Sequence, residues 1–279
     1  MEVRDKSNIL SITEVQNAAL KILVELDSIC KSYELLYTLT YGTLIGAIRH
    51  KGFIPWDDDI DIIMPRKDYE KLKNYFKTTY RGNLKWCDRT TVKNYPYYIA
   101  RVADMRYRYY TNINNQKDFD IGIFVDIYPL DNYCSTKAQA LKLGKKIWFK
   151  NRLFDIYLNP RKTSGKLKIV IRNLISFYLH LIYGRHWNLY VDNQIKSLID
   201  KNTKDTDKLV GVISQYEWKE IMKKNWFKNY IEVKFEDNTF FMCEGYHQLL
   251  TSIYGDYMKM PDENKRIPTH NYTIIKRQI

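Results

Sequence analysis

Four aspartates fall within five positions of the segment GFIPWDDDIDIIMPR, Gly52 to Arg66: Asp57, Asp58, Asp59 and Asp61. The apolar residues around and behind Asp61, with Pro55 and Pro65 as bounds, predict a strand that enters a core. In an extended chain alternate residues share a face, which sets Asp57, Asp59 and Asp61 on one side and Asp58 with Ile60 on the other. Residues two apart lie about 6.6 Å from each other along a strand, so such carboxylates can converge on one ion, and without it they repel. A solvated acidic turn is the plainer reading of an Asp-rich run, but the Ile62-Ile63-Met64 sequence directly behind Asp61 argues against it. The chemistry expected is capture of a hard divalent cation by oxygen ligands, Mg²⁺ first, because Mg²⁺ combines one or two carboxylates with substrate phosphates.

A second segment, DFDIGIFVDIYPLD from Asp118 to Asp131, sets a carboxylate, Asp126, between Val125 and Ile127 in a short apolar strand. An Asp in that position is ordinarily hydrogen-bonded in a core or ends a strand. With one acidic strand already in need of a partner, the two are expected to form one site. Upstream, LLYTLT (Leu35 to Thr40) predicts a strand, and Tyr41-Gly42-Thr43 turns it into a short helix through LIGAIRH. That order leaves backbone N–H groups and a hydroxyl where a phosphate can sit, although Gly with Thr also caps many turns for structural reasons alone.

The elements that must position these residues follow from patterning. Ser11 and Glu14 form a capping box ahead of Val15, Ala19, Ile22, Leu26, Ile29 and Tyr33, the spacing of a long first helix. Lys67 to Phe76 predicts an amphipathic helix, and YYIARVADM with RYRYY predicts a hairpin at a sheet edge. The middle is helical: Ala138 to Leu158, then Lys166 to Gly184 after the loop NPRKTSG, then Asn188 to Asn202. Leu167, Val170, Ile171, Leu174, Tyr178, Ile182 and Tyr183 recur at helical spacing in the second of these. Lys168, Arg172 and His180 interrupt it too often for a membrane span, so a core helix is expected ahead of one lying in a membrane interface. Tyr230 to Cys243 predicts a second hairpin, and HQLLTSIYG a last helix.

The chain has 279 residues, 45 Lys and Arg against 32 Asp and Glu, a formal net charge of +13, and 24 tyrosines. Its 45% hydrophobic and 28% charged residues describe a globular chain and exclude disorder. The basic balance suits nucleic acid, an anionic membrane or a phosphorylated substrate; no RNA-binding aromatic motif, zinc pattern or helix-turn-helix supports nucleic acid. Cys30, Cys87, Cys134 and Cys243 are dispersed, which predicts neither a zinc site nor a disulfide framework. Without a secretory signal, a cytoplasmic location is expected.

Taken together, YGTLIGAIRHKGFIPWDDDIDIIMPRKDY (Tyr41 to Tyr69), DIGIFVDIYPLD (Asp120 to Asp131) and YGDYMKMP (Tyr254 to Pro261) resemble the LicD family of phosphocholine and related phosphotransferases, akin to the fukutin-type proteins. The resemblance implies a single α+β domain over residues 1–279 with a nucleotidyltransferase-like mixed sheet: a core of about 11–135, a helical insertion of about 136–205, and a C-terminal hairpin and helix over 206–279. It implies that Asp59, Asp61 and Asp126 bind Mg²⁺, or Mn²⁺ in its place, and are catalytic. Gly42 and Thr43 would cradle one phosphate of the donor, and Arg49, His50 and Lys51 the second, unless that trio is simply a solvated basic loop. The reaction implied moves phosphocholine from CDP-choline to a hydroxyl of a cell-surface glycan such as lipopolysaccharide, teichoic acid or capsule polysaccharide, releasing CMP. Ribitol- or glycerol-phosphate from the matching CDP-alcohol, or transfer of NMP, are the alternatives. A lipid-linked acceptor would bring the enzyme to the cytoplasmic face of the membrane as a peripheral protein.

Overall fold

A computed structural model describes residues 9–113, 116, 119–133, 136–202, 209–212, 220–268 and 272–277. Helix α1 (Ile12–Ser32) starts at the predicted capping box, in which Glu14 Oε2 accepts from the Ser11 N–H at 2.8 Å and Ser11 Oγ accepts from the Glu14 N–H at 3.4 Å. Its buried face carries Val15, Ala19, Ile22, Leu26 and Ile29, while Tyr33 lies beyond its end and is exposed. The predicted strand Leu35 to Thr40 shrinks to β1 (Thr38–Leu39), because α2 (Tyr41–Ile45) begins at once and runs into a π-helical turn over Gly46–His50.

Next come β2 (Asp61–Pro65), α3 (Arg66–Thr78), β3 (Leu84–Cys87), β4 (Ala100–Asp104), β5 (Tyr107–Thr111) and the long β6 (Ile123–Asn132). The main sheet runs β1-β2-β6-β4-β3, and β7 (Leu209–Val212) pairs with β6 where β4 has ended, followed by β8 (Ile221–Lys223). Only β2 and β6 are parallel among these pairs, so the sheet is mixed. One face, with Ile62, Ala100, Val102, Val125 and Ile127, belongs to the core beneath α1 and α3. Alternation turns Asp61, Arg101 and Asp126 to the other face.

The expected edge hairpin does not form. Strand β4 is interior, between β6 and β3, and β5 leaves the sheet to pair with β11 (Tyr272–Lys276). The approach to β6 passes between them: Ile121 O accepts from the Tyr109 N–H at 2.9 Å, and a Cβ on Gly122 would lie 1.7 Å from Asp104 O. Only glycine lets that backbone through, and its passage separates the two strands.

The helical middle, α4 (Lys137–Leu158), α5 (Lys166–Tyr183) and α6 (Trp187–Asn202), has an apolar cluster of its own around Leu143, Ile147, Phe154, Leu179, Trp187 and Ile195. Here the expectation of a core helix fails. Helix α5 buries Ser176 and Leu179 and leaves Leu167, Leu174, Phe177 and Leu181 exposed, because it lies outside α4 and α6. The C-terminal hairpin, β9 (Tyr230–Phe235) with β10 (Asn238–Cys243), forms as predicted, and α7 (Tyr246–Tyr254) follows. Cys30, Cys87 and Cys243 are buried free thiols. Cys134 and Asp118 lie outside the described residues.

Candidate active site

Strand register assembles the centre of the site. Asp61 on β2 sits opposite Asp126 on β6, and Asp126 sits opposite Arg101 on β4, so three charged residues form one row across three strands. Arg101 donates from Nε to Asp126 Oδ1 at 2.6 Å and from Nη2 to Oδ2 at 3.4 Å. Its guanidinium is wedged between the Phe124 and Tyr97 rings, 3.7 and 4.2 Å from their centroids. Held by both charge and packing, the Asp126 carboxylate has a fixed orientation.

Asp61 is placed as firmly through its backbone: its N–H donates to Thr43 Oγ1 at 2.9 Å and its carbonyl accepts from the Thr40 N–H at 3.1 Å. Its carboxylate, by contrast, has a buried oxygen, Oδ1, without a hydrogen-bond partner. Burial, then the charges of Asp59, Asp126 and Asp57, push the Asp61 carboxyl well above the usual carboxylate range, with Arg101 acting against them. A buried carboxylate oxygen left unpartnered beside other carboxylates is costly unless a cation supplies the missing charge. Asp59, Asp61 and Asp126 each offer an oxygen, all within 4.8 Å of one another. An all-oxygen donor set of that size fits Mg²⁺ or Mn²⁺.

Strict alternation does not hold upstream. Residues 57–60 precede β2 as an irregular stretch, pinned by its backbone: the Gln16 amide donates to Asp57 O at 2.7 Å, Tyr272 OH to Asp58 O at 2.9 Å, and the Asp126 N–H to Ile60 O at 2.8 Å. The Asp57 and Asp58 carbonyls are taken by side chains, the ladder to β6 begins only at Ile60 O, and the carboxylates of Asp57, Asp58 and Asp59 gather within 4.8 Å of one another. Asp58, expected to point away, therefore joins the acidic group.

Gly42 and Thr43 stand against the acidic group. A Cβ on Gly42 would lie 2.3 Å from Asp57 Oδ2, so the glycine makes room for a carboxylate, and Thr43 straps β2. Arg49 is not a solvated loop residue: Nη1 donates to Tyr257 O at 2.9 Å and Lys259 O at 3.2 Å, and Nε to His50 Nε2 at 3.0 Å. It clamps the YGDYMKMP segment onto the turn after α2. Burial and the Arg49 charge lower the His50 pKa, and Lys51 closes the turn in the left-handed region at φ 63° with its side chain exposed.

Five residues at the site escaped the sequence reading. Arg101 left a signal, a lone cation in the apolar run IARVA. Tyr128 stands two places after Asp126, hence on the same strand face. Tyr41, at φ 46°, packs edge-on against Tyr128 with ring centroids 5.1 Å apart, and its hydroxyl donates to the carboxylate of Glu220. Glu220 stands 179 positions from Tyr41, and nothing in the sequence marks it. Tyr254, half exposed, stands at the rim of the same group, where Asp61, Glu220, Asp57 and Asp59 are the charges that act on its hydroxyl. A separate cavity of about 310 Å³ between α3 and α6 holds Arg66, Lys73 and Arg89, which are paired with Asp131, Asp88 and Asp192.

A mixed sheet that gathers buried carboxylates on adjacent parallel strands, behind a Gly-Thr turn, is a nucleotidyltransferase-like α+β enzyme. The domain described as LicD/FKTN/FKRP, nucleotidyltransferase domain, matches residues 34–164. Over 264 residues the chain is 33% identical to the lipopolysaccharide cholinephosphotransferase LicD of Haemophilus influenzae, covering 94% of this chain and 96% of that protein. Shorter likenesses, 30% identical over 107 and 113 residues, join it to uncharacterized proteins of Rickettsia prowazekii and Rickettsia typhi, across 39% and 33% of those chains. The chain belongs to the LicD family and is a phosphotransferase.

Proposed function

We propose that the enzyme transfers phosphocholine from CDP-choline to a hydroxyl of a cell-surface glycan, with release of CMP. The choline and the glycan come from the activity named for the Haemophilus relative. The observation that carries the reading is the Asp59, Asp61 and Asp126 cluster, whose buried Asp61 Oδ1 has no hydrogen-bond partner and would be satisfied by a bound cation. Bound by these three residues, Mg²⁺ or Mn²⁺ supplies positive charge against the phosphates of the donor and the departing CMP. Arg101 holds Asp126 in place for that contact, Thr43 holds Asp61, and Gly42 leaves space for Asp57 at the rim where the donor phosphates enter.

In the transfer the acceptor oxygen bonds to the choline-bearing phosphorus, the bond from that phosphorus to the bridging oxygen breaks, and CMP leaves with the electron pair. The hydroxyl proton passes to a carboxylate of the Asp57–Asp59 run or to solvent. A quaternary ammonium has no N–H to donate and is recognised by aromatic faces and negative charge. Tyr41, Tyr128 and Tyr254, with Glu220 behind Tyr41, are the group beside the carboxylates that meets this need. Arg49, His50 and Lys51 remain the residues for a second phosphate, with Arg49 Nε and Nη1 already engaged by His50 and the Tyr257 and Lys259 carbonyls. We set the reaction in the cytoplasm.

The test is a donor screen with purified protein, Mg²⁺ and CDP-choline, CDP-ribitol or CDP-glycerol, following CMP. Faster release from CDP-choline, abolished by EDTA, is expected. Turnover confined to CDP-ribitol or CDP-glycerol would replace the alcohol, and nucleotidyl transfer with CDP-choline untouched would replace the reaction.

A further inference from the structure

The positive charge of this chain is concentrated in one place. Residues 132–191 hold twelve Lys and Arg and a single acid, Asp155, a net +11 of the chain's +13. Asp155 is itself neutralised within the layer, by Arg172 Nη2 at 3.0 Å and Lys162 Nζ at 3.8 Å. This segment runs from the end of β6 through α4, the loop after it and α5 into the first turn of α6, and α5 carries the longest run of exposed large apolar side chains among the described residues.

Helix α5 has two apolar sides. Toward the protein, Leu179 is buried, Ser176 Oγ donates to Tyr157 O at 3.1 Å, and His180 stacks on Tyr157 with ring centroids 3.9 Å apart. On the opposite side Leu167, Ile171, Leu174, Phe177, Tyr178 and Leu181 recur at helical spacing and are between 48% and 73% exposed. That stripe is about 21 Å long, continuous, and flanked at its start by the exposed Lys166 and Lys168. Satisfied inner contacts fix the helix on α4 and α6, so the outer stripe is not a helix waiting to repack inward. No helix among the described residues is long and apolar enough to cross a membrane.

We propose that the outer face of α5 docks on an anionic lipid bilayer, lying in the plane of the interface. An apolar stripe bounded by lysines, in a layer almost free of acids, has the composition of an interfacial helix. Two opposing copies of this face would bring two +11 layers together, which charge repulsion disfavours. Phe177 and Leu181 enter the acyl boundary, while Lys166 and Lys168 stay with the headgroups.

The experiment is flotation of the full chain with vesicles of phosphatidylglycerol and phosphatidylcholine, or of phosphatidylcholine alone. Wild type is expected to float with the anionic vesicles and weakly with the neutral ones. The double variant Phe177→Asp with Leu181→Asp should drop to background, and Lys166→Glu with Lys168→Glu should lose binding more than tenfold, at about fivefold for each basic residue removed. Because all four side chains are exposed, unchanged melting temperatures are expected and confirm that the fold is kept. Equal binding of wild type and variants, or equal binding to both vesicles, overturns the proposal. So does a dimer in sedimentation that the Phe177→Asp and Leu181→Asp pair disperses while no form floats, since the face would then cover a second copy.

Discussion

Replacing Asp61 with Asn keeps the size and shape of the side chain and removes one negative charge from a buried group of carboxylates. In the metal-free protein that charge is a liability: Oδ1 has no hydrogen-bond partner, and Asp59, Asp126 and Asp57 lie close by. An unsatisfied buried polar atom costs about 1–3 kcal/mol, and more when charged. Asn still leaves an oxygen to satisfy, so we assign the variant a gain of about 2 kcal/mol, which for a chain of this size raises Tm by about 4–8 °C. The effect has a pH signature. The folded-state pKa of Asp61 is raised above its unfolded value of about 3.9. Stability contributed by its protonation is therefore fully present below that value and is lost as pH rises through the folded pKa. The advantage of Asn should be largest at neutral pH and shrink on acidification. The assay is thermal unfolding of both proteins in EDTA and in millimolar Mg²⁺ across that range. Wild type should gain stability from Mg²⁺, the variant little, and the variant should have no transferase activity. A variant no more stable than wild type in EDTA, with the same response to Mg²⁺, would refute the reasoning.

Arg101→Met leaves Asp126 buried and unpaired, and urea unfolding should show a loss of about 3–5 kcal/mol. The companion Arg101→Met with Asp126→Leu should recover most of it without restoring turnover. Thr43→Val removes the acceptor of the buried Asp61 N–H, and the same measurement should give a loss of about 1–3 kcal/mol together with reduced kcat. Gly42→Ala sets a methyl 2.3 Å from Asp57 Oδ2, so Mg²⁺ titration should show weakened binding in a protein that still folds. Glu220→Gln should raise KM for CDP-choline about fivefold or more, by loss of charge at the ammonium, and leave CDP-glycerol kinetics unchanged; equal effects on both donors would remove Glu220 from the choline side.

The sequence by itself marked the acidic residues and most elements. Four aspartates in five positions beside an apolar run stand out before any fold is known. The capping box at Ser11, the helical spacings and the polar turn before Asn238 are local signals that local physics decodes, and α1 and the β9-β10 hairpin appear where they predict. What needed tertiary structure is whatever depends on pairing between distant segments. Register, which no local pattern reports, sets Asp61 against Asp126 and Asp126 against Arg101. The same holds for Glu220, met by Tyr41 from 179 positions away, and for Arg49, whose partners are carbonyls of the C-terminal segment. Alternation failed over residues 57–59 because the Asp57 and Asp58 carbonyls go to the Gln16 and Tyr272 side chains and the ladder to β6 starts only at Ile60. Helix α5 shows the limit most plainly: periodicity marks an apolar stripe but cannot say whether protein covers it, and here α4 and α6 cover only the opposite side.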